Sequence, residues 1–88
     1  MLFMLVYSWT PDRRDAIIKR RLEKGPMNPK GVKIVGEWTS LENKDFCLVD
    51  AQDSKLLAQT LIAWNDILNV EVHLVLDTEK EMLGLLKK

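Results

Sequence analysis

The side chains from which this 88-residue sequence could build chemistry are chiefly arginine and the aromatics. Arg14 and Arg21 lie seven residues apart, two turns of a helix, and therefore on one face of it. Tyr7, Trp9, Trp38 and Trp64 could wall the space below that face. Guanidinium groups overhanging indoles suit a planar or carboxylate-bearing organic molecule, gripped by stacking and paired hydrogen bonds. The candidate ligand-binding set is Arg14, Arg21, Tyr7, Trp38 and Trp64. A plainer account competes with it: arginine stems cover apolar surface with their heads in water, and bulky aromatics at these spacings are core.

His73 with Glu37 and Asp50 forms a second grouping. A histidine beside a carboxylate can pass protons, but the expected strand order 4-1-3-2 puts His73 and Glu37 on opposite edges of the sheet. They could meet only across a two-fold axis between two copies. Otherwise His73 is a hydrogen-bonded interface residue. Cys47 would need a nearby base or positive charge to become a nucleophile, and its place within an apolar strand makes it core. There is no phosphate loop, nucleophile elbow or dinucleotide fingerprint. One histidine and one cysteine cannot form a His/Cys metal site in a single chain, so neither metal nor other cofactor is expected. Whether the protein is an enzyme stays open.

These residues must be positioned by the elements between them. Met1–Trp9 is apolar on both sides of an alternating pattern, without charge, glycine or proline, and predicts a central strand covered on each face. Thr10-Pro11-Asp12 starts a helix that runs to about Lys24 and stops at Gly25-Pro26, with Ile17, Ile18 and Leu22 as its apolar stripe. Arg14 and Arg21 fall within that stripe. Val32–Ser40 and Asp45–Ala51 read as a hairpin around Leu41-Glu42-Asn43-Lys44. Simple alternation turns Trp38 to the side of Cys47 and Val49, and turns Glu37 and Thr39 to the side of Phe46, Leu48 and Asp50. A second helix, capped by Asp53-Ser54, runs to about Asp66 on Leu57, Leu61 and Trp64. Val70–Leu76 alternates as a fourth strand, and Thr78-Glu79-Lys80-Glu81 is a capping box for a short helix with Met82, Leu83, Leu85 and Leu86.

The order β-α-β-β-α-β is the ferredoxin-like arrangement. It predicts one α+β domain over residues 1–88, a four-stranded antiparallel sheet with two helices on one face, plus the short C-terminal helix. The uniformly apolar side with Trp38, Cys47, Val72 and Leu74 is expected beneath the helices. The other side mixes Phe46, Leu48 and Val75 with His73, Glu37 and Asp50, an apolar centre with a polar rim that suits an interface between two copies.

Composition narrows the partners. At 47% hydrophobic and 30% charged the chain is neither disordered nor membrane-spanning, and Met1–Tyr7 is too short for a bilayer and lacks a basic leader. A lone cysteine fits the cytoplasm. Residues 1–33 hold eight Lys/Arg against three acids, +5, and the remainder five against ten, −5. The run Lys19-Arg20-Arg21 could touch phosphates, but zero net charge and the missing paired aromatics of an RNA-binding sheet make it a solvated helix face. No nucleic-acid partner is expected.

Met1-Leu2-Phe3-Met4, Arg14-Asp15 at the helix entry, Gly36-Glu37-Trp38, Phe46-Cys47-Leu48-Val49 and Trp64-Asn65-Asp66 before Val70-Glu71-Val72 resemble the domain of unknown function 3303 family, within the dimeric α/β-barrel group. The resemblance covers nearly the whole chain. It implies a ferredoxin-like protomer paired sheet to sheet with a second copy; the mixed face itself suggests that the C-terminal helix would clasp that copy. It implies no reaction. The functional expectation is a homodimeric small-molecule-binding or structural module. The alternative is a cofactor-free oxygenase or isomerase acting on a small aromatic or acidic compound.

Overall fold

The computed structural model describes residues 1–87. β1 (Leu2–Ser8) alternates as its sequence dictates, with Phe3, Leu5 and Tyr7 buried and Leu2, Met4 and Val6 half-covered on the other side. It lies between β3 (Lys44–Ala51) and β4 (Asn69–Val75), antiparallel to both, and β2 (Val32–Thr39) completes the sheet beyond β3. The order is β2-β3-β1-β4. With α1 (Arg14–Lys24) and α2 (Ser54–Ile62) this is the ferredoxin-like α+β fold that the element order implies. Leu5, Val49, Ala51 and Leu57 sit at the centre of the buried side, with Trp64 and Leu68 closing one end.

One irregularity decides which side chains face the helices. Ile34 pairs with Val49, but the next pair is Gly36 with Leu48, so Val35 is an extra residue on β2. Such a bulge reverses the alternation beyond it. Glu37 therefore stands opposite Cys47, Trp38 opposite Phe46 and Thr39 opposite Asp45. Simple alternation puts these three the other way round. In the structure Trp38 lies on the outer face, 59% exposed, its indole across Gly36, where an added Cβ would come within 2.6 Å of the ring. Glu37 and Thr39 lie on the inner face.

The helices also depart from expectation at their ends. Thr10 precedes a 3-10 turn (Pro11–Arg13) without capping it, because its hydroxyl donates to the Asp12 carboxylate. Gly25 closes α1 at φ +68°, its N–H on the Arg21 carbonyl at 2.9 Å, a conformation that glycine tolerates best. Asp53 caps α2 by accepting from the Leu56 N–H at 2.9 Å. That helix stops at Ile62, not near Asp66. The Arg20 guanidinium takes the Ala63 carbonyl at 2.9 Å, and Ile67 turns its N–H to Trp64 instead. Near the C-terminus the cap is Asp77, accepting from Lys80 N–H at 2.8 Å, one residue before the expected Thr78. A wide turn (Thr78–Met82) then leads into α3 (Leu83–Leu86).

Two elements find little cover. α1 buries no residue, and Leu22 is 81% exposed. The C-terminal segment leaves Leu85 and Leu86 exposed, and the molecule measures 50 × 28 × 17 Å. Its radius of gyration, 14.5 Å, exceeds the roughly 12 Å of a compact chain this long. β4 has no fully buried residue, so Val72 and Leu74, although on the inner face, remain 41% and 61% exposed.

Candidate functional site

Because α1 stands off the sheet, a cavity of about 420 Å³ opens beneath it. Its floor is the inner face of the sheet at Tyr7, Glu37, Thr39, Asp45 and Cys47; Trp9 and Trp64 flank it, and α1 roofs it with Arg14, Ile17 and Arg21. Four of the five residues in the candidate ligand set, Tyr7, Arg14, Arg21 and Trp64, line this space. Trp38 does not, since the bulge carries it to the other side of the sheet.

Arg21 reaches down from α1 to make a two-pronged bond with Glu37, Nη2 to Oε1 at 2.7 Å and Nη1 to Oε2 at 3.0 Å. Its charge is therefore already matched, which changes its role from anion receptor to anchor of the helix. Arg14, at the other end of the cavity's roof, has as its one ion-pair partner among the described residues Asp15, at 3.2 Å, and is 62% exposed. Arg20, on the far flank of α1, grips Asp66 with both nitrogens at 2.7 and 2.8 Å. It also lies over the Trp64 ring, 5.6 Å from its centre. Trp64 is fixed in turn by donating to the Pro26 carbonyl at 3.0 Å. It is thus a core residue that shows one side to the cavity.

The electrostatics of the floor follow from packing two carboxyl groups beside an arginine. Burial tends to raise the Glu37 pKa, but the hydrogen bonds from Arg21 and from Asp45 outweigh it and hold Glu37 ionised, below its usual range. Asp45 is only 7% exposed. Burial first, and then the neighbouring Glu37 carboxylate, push its pKa up to about 7, against the bond from the Thr39 hydroxyl at 2.8 Å. Asp45 thus keeps its proton on the acid side of neutrality and shares it with Glu37. Burial, reinforced by these acids, pushes the Cys47 thiol up to about 12 and raises the Tyr7 phenol as well. Neither ionises near neutral pH. Cys47 is a buried core thiol and no nucleophile. Two further buried groups have no partner among the described residues: the Thr60 hydroxyl, on a residue 2% exposed that lines the cavity, and the Trp9 indole N–H.

The second grouping comes apart. His73 lies on the outer face opposite Met4, with its Nε2 3.4 Å from Glu71. Asp50 holds the N-terminal ammonium at 3.1 Å on that face. Glu37 is on the inner face, committed to Arg21, so the expected meeting of His73 with Glu37 across a two-fold axis has no basis. Phe46, Leu48 and Val75 do share the outer face with His73 and Asp50. Among the described residues no group of three His, Cys, Asp or Glu side chains is placed to hold a metal ion. No helix is long and apolar enough to cross a membrane.

Asp45 and Thr39 are the site residues that sequence reasoning missed. Asp45 was findable: it alternates in step with Cys47 and Val49, so it had to face inward. Thr39 was hidden by the bulge. No curated protein and no solved structure matches the chain. From Met1 to Lys88, however, it matches the family described as domain of unknown function DUF3303, and the chain belongs to that family.

Proposed function

We propose that this protein binds a small organic molecule in the cavity beneath α1 and does so as a homodimer. The cavity carries the reading. Its 420 Å³ falls in the range of small-molecule sites, and apolar walls with a few convergent polar groups are what such sites have. Pairing is supported by the outer face, where Val35, Trp38 and Phe46 are exposed together, and by the apolar C-terminal segment, which finds little cover among the described residues. A second copy lying sheet to sheet would cover both.

Native mass spectrometry of protein isolated from its host tests both halves. The expected ion has about twice the 10.2 kDa chain mass plus that of a small molecule. A bare monomer at micromolar concentration overturns the proposal. The alternative, a cofactor-free enzyme, is favoured by one observation: the Asp45 carboxyl, pushed up to about 7, is tuned as proton-transferring groups are. It points to an isomerase more than to an oxygenase.

A further inference from the structure

We infer that Asp45 is the base, and Tyr7 the hydrogen-bond donor, of a proton-transfer site for aromatic carboxylates that carry a C–H bond next to a carbonyl. This rests on the reading of the cavity as a ligand site. Geometry supplies each part. Asp45 is buried on the cavity floor with Thr39 fixing one oxygen at 2.8 Å. It is faced by Glu37 from β2, Tyr7 from β1, Arg21 from α1 and Cys47 from its own strand. Arg21 locks Glu37 from above, so the pair carries no net charge and leaves Asp45 as the group free to change protonation. Tyr7 is 8% exposed and lines the cavity. Among the described residues the buried Thr60 hydroxyl has no partner and is a further polar group left for a ligand.

Substrate class follows from the remaining lining. Trp9 and Trp64 offer flat apolar walls for a ring. Arg14, whose sole ion-pair partner among the described residues is the exposed Asp15, offers a cation for a carboxylate. Arg14 lies two helical turns from Arg21, about 10 Å along α1, so carboxylate and reacting carbon belong at opposite ends of the molecule. In the reaction, ionised Asp45 takes the proton. The C–H electron pair becomes the C=C bond of an enolate, and the carbonyl π pair moves onto oxygen, where Tyr7 donates its hydrogen bond. Return of the proton to the same carbon restores the substrate, and return to the far end of a conjugated system yields its isomer. Nothing is oxidised or reduced.

The probe 4-acetylbenzoate has this shape, with a carboxylate at one end of a ring and an enolisable methyl ketone at the other. In D2O, proton NMR reads binding as line broadening and proton transfer as loss of the methyl signal. Exchange is expected about a hundredfold faster than in buffer, rising with pH to a plateau above about 7. Asp45→Asn should bring exchange to the buffer rate while binding stays within about threefold. Tyr7→Phe, which keeps the ring packing, should remove most of the acceleration and leave the pH midpoint in place. A probe that binds but exchanges at the buffer rate, or an Asp45→Asn variant as fast as the parent, overturns the inference and leaves the cavity reading standing. A probe that does not bind at millimolar concentration overturns both.

Discussion

Asn at position 45 separates the acid's charge from its shape. The amide oxygen can still accept from Thr39, now at 2.8 Å from the carboxyl, and the amide N–H can donate to Glu37 as the protonated acid does. The variant is therefore locked in the low-pH state of the site. In the parent, the folded-state pKa of Asp45 is raised from 3.8 to about 7, so the folded protein holds a proton that the unfolded chain releases. The stabilisation is fully present below the unfolded value and is lost as pH rises through the folded one. Between pH 5 and 8 the linkage relation gives a loss of roughly 2–3 kcal/mol. The cavity rim meets solvent at Arg21, whose side chain is 42% exposed, and screening there lowers the expected loss to about 1–2 kcal/mol.

In a domain of this size that is a fall in Tm of roughly 5–15 °C. Glu37, Asp12 and Asp66 have lowered pKa values, so their contributions weaken only on the acid side, below pH 5. Thermal melts of both proteins at half-unit steps from pH 5 to 8, taken as the parent-minus-variant difference, isolate Asp45. The parent should lose stability relative to Asp45→Asn as pH rises from 5 and level off above about 7, and the variant should be the more stable at pH 8. A difference that is flat with pH, or that grows in the parent's favour, refutes a buried acid at this position.

Three other outcomes are expected. Arg20→Ala removes the bonds to Asp66 and Ala63 and the contact with Trp64; it should lower Tm by roughly 5 °C, and unchanged melting would show that α1 is not held there. Phe46→Glu places a charge at the centre of the outer face, so sedimentation should turn a dimer into a monomer with unchanged circular dichroism; a parent already monomeric at 10 μM would remove the basis for pairing (a concentration typical of such runs, about 10⁻⁵ M, at which a nanomolar interface stays closed). Deleting Val35 removes the extra residue and leaves Ile34, Gly36, Glu37 and Trp38 opposite Val49, Leu48, Cys47 and Phe46 as a continuous ladder, so Trp38 should stay outside with its fluorescence unshifted while Glu37 keeps its place in the cavity; a blue shift would contradict the register.

Period-two alternation was enough to read the central strand, because Phe3, Leu5 and Tyr7 on one side of β1 and Cys47, Val49 and Ala51 on the same side of β3 are all buried. The cap at Asp53 and the stop at Gly25 were legible for the same reason: each is a local rule that local residues satisfy. Trp38 and Glu37 were misplaced because a one-residue bulge leaves no mark in composition. Gly36 and the adjacent Val35 allow it, and only the pairing with β3 reveals it. Arg21 was visible within the apolar stripe of α1 and Arg20 in the basic run beside it, but their partners lie 16 and 46 residues away, at Glu37 and Asp66, beyond the reach of periodicity.

The bulge and the arginines have a joint consequence for the cavity. Without the bulge, β2 would present Trp38 to α1, and an indole could fill the gap against Ile18 and Leu22. With it, β2 presents a carboxylate, whose burial is tolerable only because Arg21 meets it with two hydrogen bonds. That contact fixes α1 at the length of an arginine side chain from the sheet instead of in apolar contact with it, and Arg20 does the same against the end of α2. This accounts for a helix that buries none of its residues yet is pinned on both flanks. Space persists under α1 because ion pairs, not packed methyl groups, set its height. The carboxylate that holds up the roof also raises the affinity of Asp45 for its proton, so the feature that keeps the cavity open also tunes the acid on its floor.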